Sequence, residues 1–325
     1  MELVCPAGTP SALRTAVDAG ADAVYCGFRD ETNARNFPGL NFTPQELAQG
    51  VAYAHDRGAK VLVAINTFAR AGGTNLWHRA VAQAIEARAD ALILADLGLL
   101  AWASRAYPAQ RLHLSVQAAA ATPPAIRFYA ERYGIKRVVL PRVLTVNEIA
   151  GIVAEIPCEA EVFAFGGLCV MTEGRCLLSS YATGESPNMN GVCSPAAHVD
   201  YRQEGTTLAA RLGGFTIDRY SAGQPAAYPT LCKGTFMVDG KANHIFEEPT
   251  SLNVLEILPA LKAAGVSALK IEGRQRGKAY LAAVVRQFRS ALDALEAGRT
   301  LPASTLGALT EGGRETTGAY KKTWR

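Results

Sequence analysis

The sequence predicts an α/β protein built as a closed (β/α)8 barrel, a TIM-like fold, and three observations carry that expectation. Eight short apolar runs rich in β-forming residues recur along the 325-residue chain. Helical patterns rich in Ala, Leu and Arg lie between them, and strand–helix alternation means a parallel sheet with helical crossovers. No G-x-G-x-x-G follows the first run, so an open dinucleotide-binding sheet has no support, and eight units suit a closed barrel. Barrels routinely reach roughly 250 residues as one domain, so the length does not force a second one.

In chain order, the first run is ELVCP at 2–6, followed by a helical pattern from Ser11 to Gly20. AVYCG at 23–27 precedes a helix over Pro44–Gly58, and KVLVAIN at 60–66 precedes one over Asn75–Arg88. ALILAD at 91–96, LHLSVQ at 112–117 and RVVLPR at 137–142 are the fourth to sixth runs, with helices over Pro123–Tyr133 and Val146–Glu155. Gly20, Gly58 and Gly134 supply helix ends. AEVFAF at 160–165 is the seventh run, and about a hundred residues then pass before the eighth, ALKIEG at 268–273, against roughly twenty to thirty elsewhere. Residues 252–264 read as the seventh helix and 279–297 as the eighth. A single barrel domain over 1–298 therefore contains an insertion over 166–250 on its catalytic face, and 299–325 form an extended C-terminal tail.

With 49% hydrophobic and 19% charged residues the chain can bury enough apolar surface to offset its conformational entropy, which excludes disorder, collagen and coiled coil. A net charge of +4, from 33 basic and 29 acidic residues, is too weak to argue for a nucleic-acid partner, and none is expected. The most apolar stretch, Ala91 to Ala103, is broken by Asp96, so no membrane span is expected. The opening Met-Glu-Leu-Val-Cys-Pro has no secretory character, which points to a cytoplasmic protein. Seven cysteines, an odd number, argue against a disulfide framework and for metal ligation, catalysis or core packing.

In a barrel strand alternate side chains face the interior, and polar ones at the C-terminal ends line the active site. In the fifth run Leu112, Leu114 and Val116 face the helices while His113, Ser115 and Gln117 point inward. In the eighth, Leu269 and Ile271 face out while Lys270, Glu272 and Arg274 point in. Asn66, Asp96 and Arg142 end the third, fourth and sixth runs and complete a ring of mixed charge suited to a polar, anionic small molecule. Lys270, Glu272, Asp96 and Gln117 are the candidate catalytic residues. The competing reading is a structural network in which Lys270 and Glu272 pair with neighbours.

The insertion carries Cys169, Cys176, Cys193 and Cys232, spaced C-x6-C-x16-C-x38-C. Zinc sites usually pair ligands as C-x2-C knuckles, absent here, whereas an iron–sulfur cluster accepts thiolates from dispersed loops, so iron–sulfur is favoured over zinc. Glycines at 166, 167, 174, 184 and 191 would let backbone amides approach the cluster. Four buried small hydrophobes is the plainer alternative, and it is the favoured reading for Cys5, Cys26 and Cys158. His55, His78 and His198 lack H-E-x-x-H spacing and no G-x-S-x-G is present, so hydrolysis lacks its parts.

The segment E-V-F-A-F-G-G-L-C-V-M-T-E-G-R-C-L-L-S at 161–179 resembles the signature of the collagenase-like peptidases, family thirty-two of the peptidases of unknown type. The resemblance extends to L-V-C-P-A-G at the start, A-R-N-F-P-G-L-N-F-T at 34–43 and A-G-V-S-A-L-K-I-E-G-R at 264–274, and so covers the whole barrel. Gly167 departs from the pattern, which usually has Ser or Ala there. The resemblance implies a [4Fe–4S] cluster on Cys169, Cys176, Cys193 and Cys232. Within the family the likeness is to the short UbiU branch. It implies an oxygen-independent hydroxylase component acting on the ubiquinone precursor ring with a UbiV-like partner as a heterodimer, with prephenate as oxygen source. A soluble lipid-binding protein or complex would present the precursor. Arg142, Lys270 and Arg274 at the mouth, joined by Arg35 and with Asn66 nearby, would suit a dicarboxylate. The alternatives are a tRNA or rRNA hydroxylation factor of the same family, a cluster-bearing scaffold and a peptidase.

Overall fold

A computed structural model of the protein describes residues 1–187 and 193–321; Gly191 and residues 322–325 of the tail lie outside them. All eight apolar runs are strands of one closed parallel barrel. They are β1 (Glu2–Pro6), β2 (Ala23–Cys26), β3 (Lys60–Ile65), β4 (Ala91–Leu94), β5 (Leu112–Leu114), β6 (Arg137–Val139), β7 (Glu159–Gly167) and, after the insertion, β14 (Ala268–Ile271). Each pairs in parallel with the next. β14 closes the ring by pairing with both β7, through Leu269 and Val162, and β1, through Leu269 and Leu3.

Helices α1 (Pro10–Asp18), α2 (Pro44–His55), α3 (Asn75–Glu86), α4 (Leu97–Ala106), α5 (Pro123–Tyr133) and α6 (Val146–Glu155) form the outer layer of the first six units. Their starts are chemically encoded. Thr43 and Thr145 close capping boxes with Glu46 and Glu148, and Pro at the first turn of α1, α2 and α5 supplies helical φ where no N–H is needed. The sequence reading had no separate α4, because its apolar residues run on from β4; Asp96 marks the boundary, its carboxylate accepting from Leu99 N at 2.8 Å.

Beyond β7 the described residues of the insertion form several short elements. They include the short helix α7 (Leu178–Thr183) and an antiparallel sheet of β8 (Val199–Glu204), β9 (Thr207–Leu212) and β10 (Phe215–Ser221). A hairpin of β11 (Phe236–Val238) and β12 (Lys241–Asn243) follows. The expected helix over 252–264 is corrected in its first part. β13 (Ser251–Asn253) runs antiparallel to β7 with Leu252 opposite Gly166, and only Leu258–Ala263 forms the helix, α8. The reason lies in β7, which at nine residues overhangs the barrel and offers an edge, while Pro259 sets the helix start later. The last barrel helix, α9 (Lys278–Glu296), matches its predicted span to within a residue.

The tail, read from the sequence as an extended segment able to pack on the barrel or a partner, packs on the barrel. β15 (Glu315–Thr316) pairs with β13, Leu306 and Ala319 are buried, and Tyr320 donates its hydroxyl to the Phe163 carbonyl at 2.7 Å.

The core has two layers. The larger lies between barrel and helices and takes Leu112, Leu114, Leu269 and Ile271 as alternation predicts. The lumen is divided by chemistry. On the β1–β4 side Val4, Tyr25, Leu62, Ala64 and Ile93 pack together with Ala268. On the other side Arg137 pairs with Glu2, with Glu159 at 2.7 Å and with the fully buried Glu161 at 3.2 Å, and Lys270 reaches Glu161 at 2.7 Å. That ionic plug fills the barrel below the mouth.

Candidate active site

A cavity of about 190 Å³ opens at the C-terminal end of the barrel. Short strands place its walls: β5 stops at Leu114 and β14 at Ile271, so Gln117, Glu272 and Arg274 stand in the turns just beyond them. Arg35 enters from the β2–α2 loop, Glu173 from the insertion and Glu311 from the tail. Five cationic side chains, Arg35, Arg142, Lys270, Arg274 and Arg276, face three carboxylates, Glu173, Glu272 and Glu311.

Arg142 is the hub. Its Nη2 donates to Glu272 at 2.9 Å, its Nε lies 3.4 Å from the Glu173 carboxylate, and its guanidinium carbon sits 3.8 Å from the centre of the Phe163 ring. Arg35 reaches the other oxygen of Glu272 at 3.6 Å. Burial opposes the charge on Glu272, but Arg142 and Arg35 outweigh it and hold the carboxyl below its ordinary value. Glu173 shows the opposite balance: burial pushes its carboxyl up more than Arg142 lowers it. Lys270 is committed below the mouth to Glu161 and, at 3.9 Å, to the face of Tyr25; burial still pulls its ammonium down.

Arg274 differs from these. It is 8% exposed, donates Nη1 to Asn33 Oδ1 at 2.7 Å and forms no ion pair with a carboxylate among the described residues. Burial pulls its guanidinium down to about 10, with Tyr25 opposing. Its placement depends on Gly8, where an added Cβ would stand 1.8 Å from the Arg274 carbonyl oxygen.

The structure therefore gathers Arg35, Asn66, Gln117, Arg142, Lys270, Glu272 and Arg274 around one cavity. Asn66 acts on the loop, its Oδ1 accepting from Ala34 N at 3.1 Å, and Gln117 keeps a buried Oε1 without a hydrogen-bond partner. Asp96 does not line the cavity: its carboxylate caps α4 and accepts from Ala69 N at 3.3 Å. His113 lies inward as alternation predicts, but in the ionic plug beside Arg111, whose Nε donates to its Nε2 at 2.9 Å. Val116, expected to face the helices, lines the cavity because β5 has ended and a 3-10 turn has begun. Sequence reasoning did not single out Glu173, Glu311, Arg276 or Asn33. Glu173 stood within the 161–179 signature, whereas Glu311 joins the site only because the tail folds back.

The four insertion cysteines influence one another electrostatically, and Cys169 and Cys193 also feel residues of this mouth. Desolvation and Glu173 push the Cys169 thiol up to about 12, with Arg142 opposing and Cys193 adding to the rise. Desolvation raises Cys232 to about 11, and Cys193 and Cys176 raise it further. Cys193 is exposed at its edge yet also raised by desolvation, with Arg35 opposing and Cys176 adding. Two hydrogen bonds tie the loops, Ser194 Oγ to Pro229 O at 2.7 Å and Tyr228 OH to Ser194 O at 3.0 Å. Lys233, next to Cys232, pairs with Glu311 of the cavity wall. No three Cys, His, Asp or Glu side chains among the described residues converge closely enough to hold a single metal ion.

The model of peptidase family U32 matches residues 8–315. The tRNA hydroxylation protein P of Haemophilus influenzae is 32% identical over 332 residues, covering 95% of this chain and 71% of the relative. A collagenase of Porphyromonas gingivalis is 27% identical over 90% of this chain and 66% of its own length. The 23S rRNA 5-hydroxycytidine C2501 synthase of Escherichia coli is 30% identical over 91% of this chain but 40% of its own length. The family match spans the barrel, the cysteine-bearing insertion and the returning tail, and the chain belongs to peptidase family U32.

Proposed function

We propose that the chain is the barrel component of a system that hydroxylates bases in RNA, with an iron–sulfur cluster beside a barrel-mouth site for a small carboxylate that supplies the oxygen. What supports the reading is a cation-rich cavity whose Arg35, Arg142 and Glu272 act electrostatically on Cys193 of the four-cysteine insertion, in a chain with relatives named for RNA hydroxylation. This departs from the expectation of no nucleic-acid partner. It also sets the ubiquinone reading second, together with its UbiV-like subunit and lipid-presenting partner, because the relatives' names favour RNA. No helix among the described residues is long and apolar enough to cross a membrane.

Cys169, Cys176, Cys193 and Cys232 would hold the cluster. Burial favours the neutral thiols of Cys169 and Cys232, so their deprotonation needs the positive charge of a bound metal, which a four-sulfur donor set fits. The dispersal of the four cysteines along the chain, without a C-x2-C knuckle, suits a [4Fe–4S] core better than zinc. Such a cluster would supply electron transfer. Arg274 would take the carboxylate, since its charge is desolvated and has no carboxylate partner, with Arg35 and Arg142 completing a site that suits a dicarboxylate such as prephenate. The cavity suits hydrolysis less well, because none of the chain's histidines lines it to act as base to a nucleophile.

Anaerobically purified protein is expected to contain about four irons and four sulfides per chain and to form hydroxylated nucleosides in RNA when given the acid, read by nucleoside mass spectrometry. Arg274→Ala should keep its iron and raise the apparent KM for the acid about 10- to 100-fold. Iron-replete protein that modifies a quinone precursor and no RNA would overturn the reading.

A further inference from the structure

A second cavity, of about 320 Å³, is built from the same two loops as the first. Asn33, Asn36 and Phe37 line it where Ala34 and Arg35 line the barrel mouth, and Thr67 lines it where Asn66 lines the mouth. Its remaining wall, Pro195 to Ala197, begins two residues after Cys193. Both cavities thus border the loops around the thiols, but their chemistry is opposite. The mouth is ringed by buried ion pairs; the second cavity is walled by Phe37, Phe68 and Trp77 and keeps its charges at the rim. Trp77 spends its indole N–H on Thr67 Oγ1 at 3.1 Å, so its ring offers the cavity only apolar surface. Polar groups stand at the edge: the Asn36 amide, the Glu185 carboxylate 3.2 Å from His198 Nε2 and, at the rim, Glu31 paired at 3.3 Å with the 69% exposed Arg70.

We propose that this second cavity receives a single pyrimidine base extruded from RNA, the acceptor ring, while the barrel mouth holds the acid. The proposal rests on the RNA reading above and names where its substrate binds. A hydroxylation that moves a hydroxyl oxygen from an acid to a ring replaces a ring C–H by C–O, with the proton leaving to solvent and the two electrons passing to an external electron acceptor by way of the proposed cluster. It needs two sites of different character, and the chain presents one cationic and one aromatic site that share a loop. Aromatic walls reward a flat π-face irrespective of base identity, and an amide with a carboxylate can read the donors and acceptors on a pyrimidine edge. Arg70, 69% exposed at the rim, would meet the phosphate of the extruded nucleotide by turning from its surface ion pair with Glu31. Asn33 couples the sites, since its Oδ1 holds Arg274 in the mouth while the residue lines the second cavity.

The test is photocrosslinking of the full anaerobic chain to a single-stranded RNA carrying one 5-bromouridine, with adducts mapped by mass spectrometry and hydroxynucleoside formation measured on the same preparation. Adducts are expected within 36–38, 67–70 or at Trp77. Ala196→Trp, an exposed wall position where a large ring would fill the cavity, should reduce them about tenfold with iron content unchanged. Adducts elsewhere, or undiminished in Ala196→Trp, overturn the cavity assignment even where RNA is hydroxylated. Adducts in the cavity without any hydroxynucleoside overturn the RNA function instead and leave the binding site standing. Protection of the same peptides by a prenylated 4-hydroxybenzoate, with no RNA adduct, overturns the base assignment in favour of a phenolic acceptor.

Discussion

Gly166 and Gly167 sit side by side at the end of β7 and answer to different constraints. Gly166 has φ +119°, and a Cβ there would lie 2.8 Å from the Glu272 carbonyl oxygen, so glycine is required for β7 to pass β14. At Gly167 the nearest atom to an added Cβ is Glu272 Oε2 at 3.4 Å, an ordinary contact, which is why a family pattern with Ser or Ala there is compatible with this backbone. His113 gives a pH signature at the same scale. Burial, then Arg137 and Arg111, hold its imidazole well below the ordinary 6.5, so it is neutral when folded and takes a proton when unfolded. Its contribution is therefore present above pH 6.5 and lost as pH falls below it. Glu173, raised by burial, has the opposite sign, contributing at acidic pH and losing that contribution as pH rises above its ordinary 4.5. Urea denaturation should show about 1 kcal/mol of stability lost between pH 6.5 and 5.5 in wild type, and a flatter profile for His113→Asn. An unchanged profile would exclude His113 as the titrating group.

At the scale of elements, the overhang of β7 decides how the insertion and the tail attach. β13 lies on that overhang, β15 on β13, and Tyr320 returns to the Phe163 carbonyl in the middle of β7. The tail thereby brings Glu311 to the cavity wall, where it pairs with Lys233 beside Cys232. Tyr320→Phe should cost about 1 kcal/mol for the lost hydrogen bond, and Tyr320→Ala about 3 kcal/mol or more as the buried ring is removed. Denaturant titration measures both, and equal costs for the two would show that the ring does not anchor the tail. None of this could be read from 299–325, whose polar, aperiodic sequence gives no sign of a two-residue strand: β15 has its partner in β13, more than sixty residues away. The split of 252–264 into β13 and α8 was hidden for a related reason, since an apolar run that short fits either element until an edge is available.

At the scale of the molecule, barrel and insertion depend on different forces. The barrel is held by its two-layer core and closed by β14, whereas the cysteine loops join short elements with little apolar burial of their own. Removing the proposed cluster by chelation under air should therefore leave the circular dichroism of the barrel largely intact and open 166–250 to limited proteolysis. Loss of the whole fold on chelation would show instead that the metal stabilises the barrel itself.

What the sequence by itself determined is the barrel and those residues of its mouth that stand at strand ends, Asn66, Gln117, Arg142, Lys270, Glu272 and Arg274. A period of two along eight strands sorts side chains into lumen and shell, and the same alternation set Lys270, Glu272 and Arg274 inward. Which of those residues are spent on ion pairs is decided only in three dimensions. Lys270 meets Glu161 from β7, Asp96 is taken by the start of α4, and Arg274 keeps a charge without a carboxylate partner. Pairing depends on which elements become neighbours. Strand periodicity encodes the direction of a side chain, but not the distant residue it will meet there.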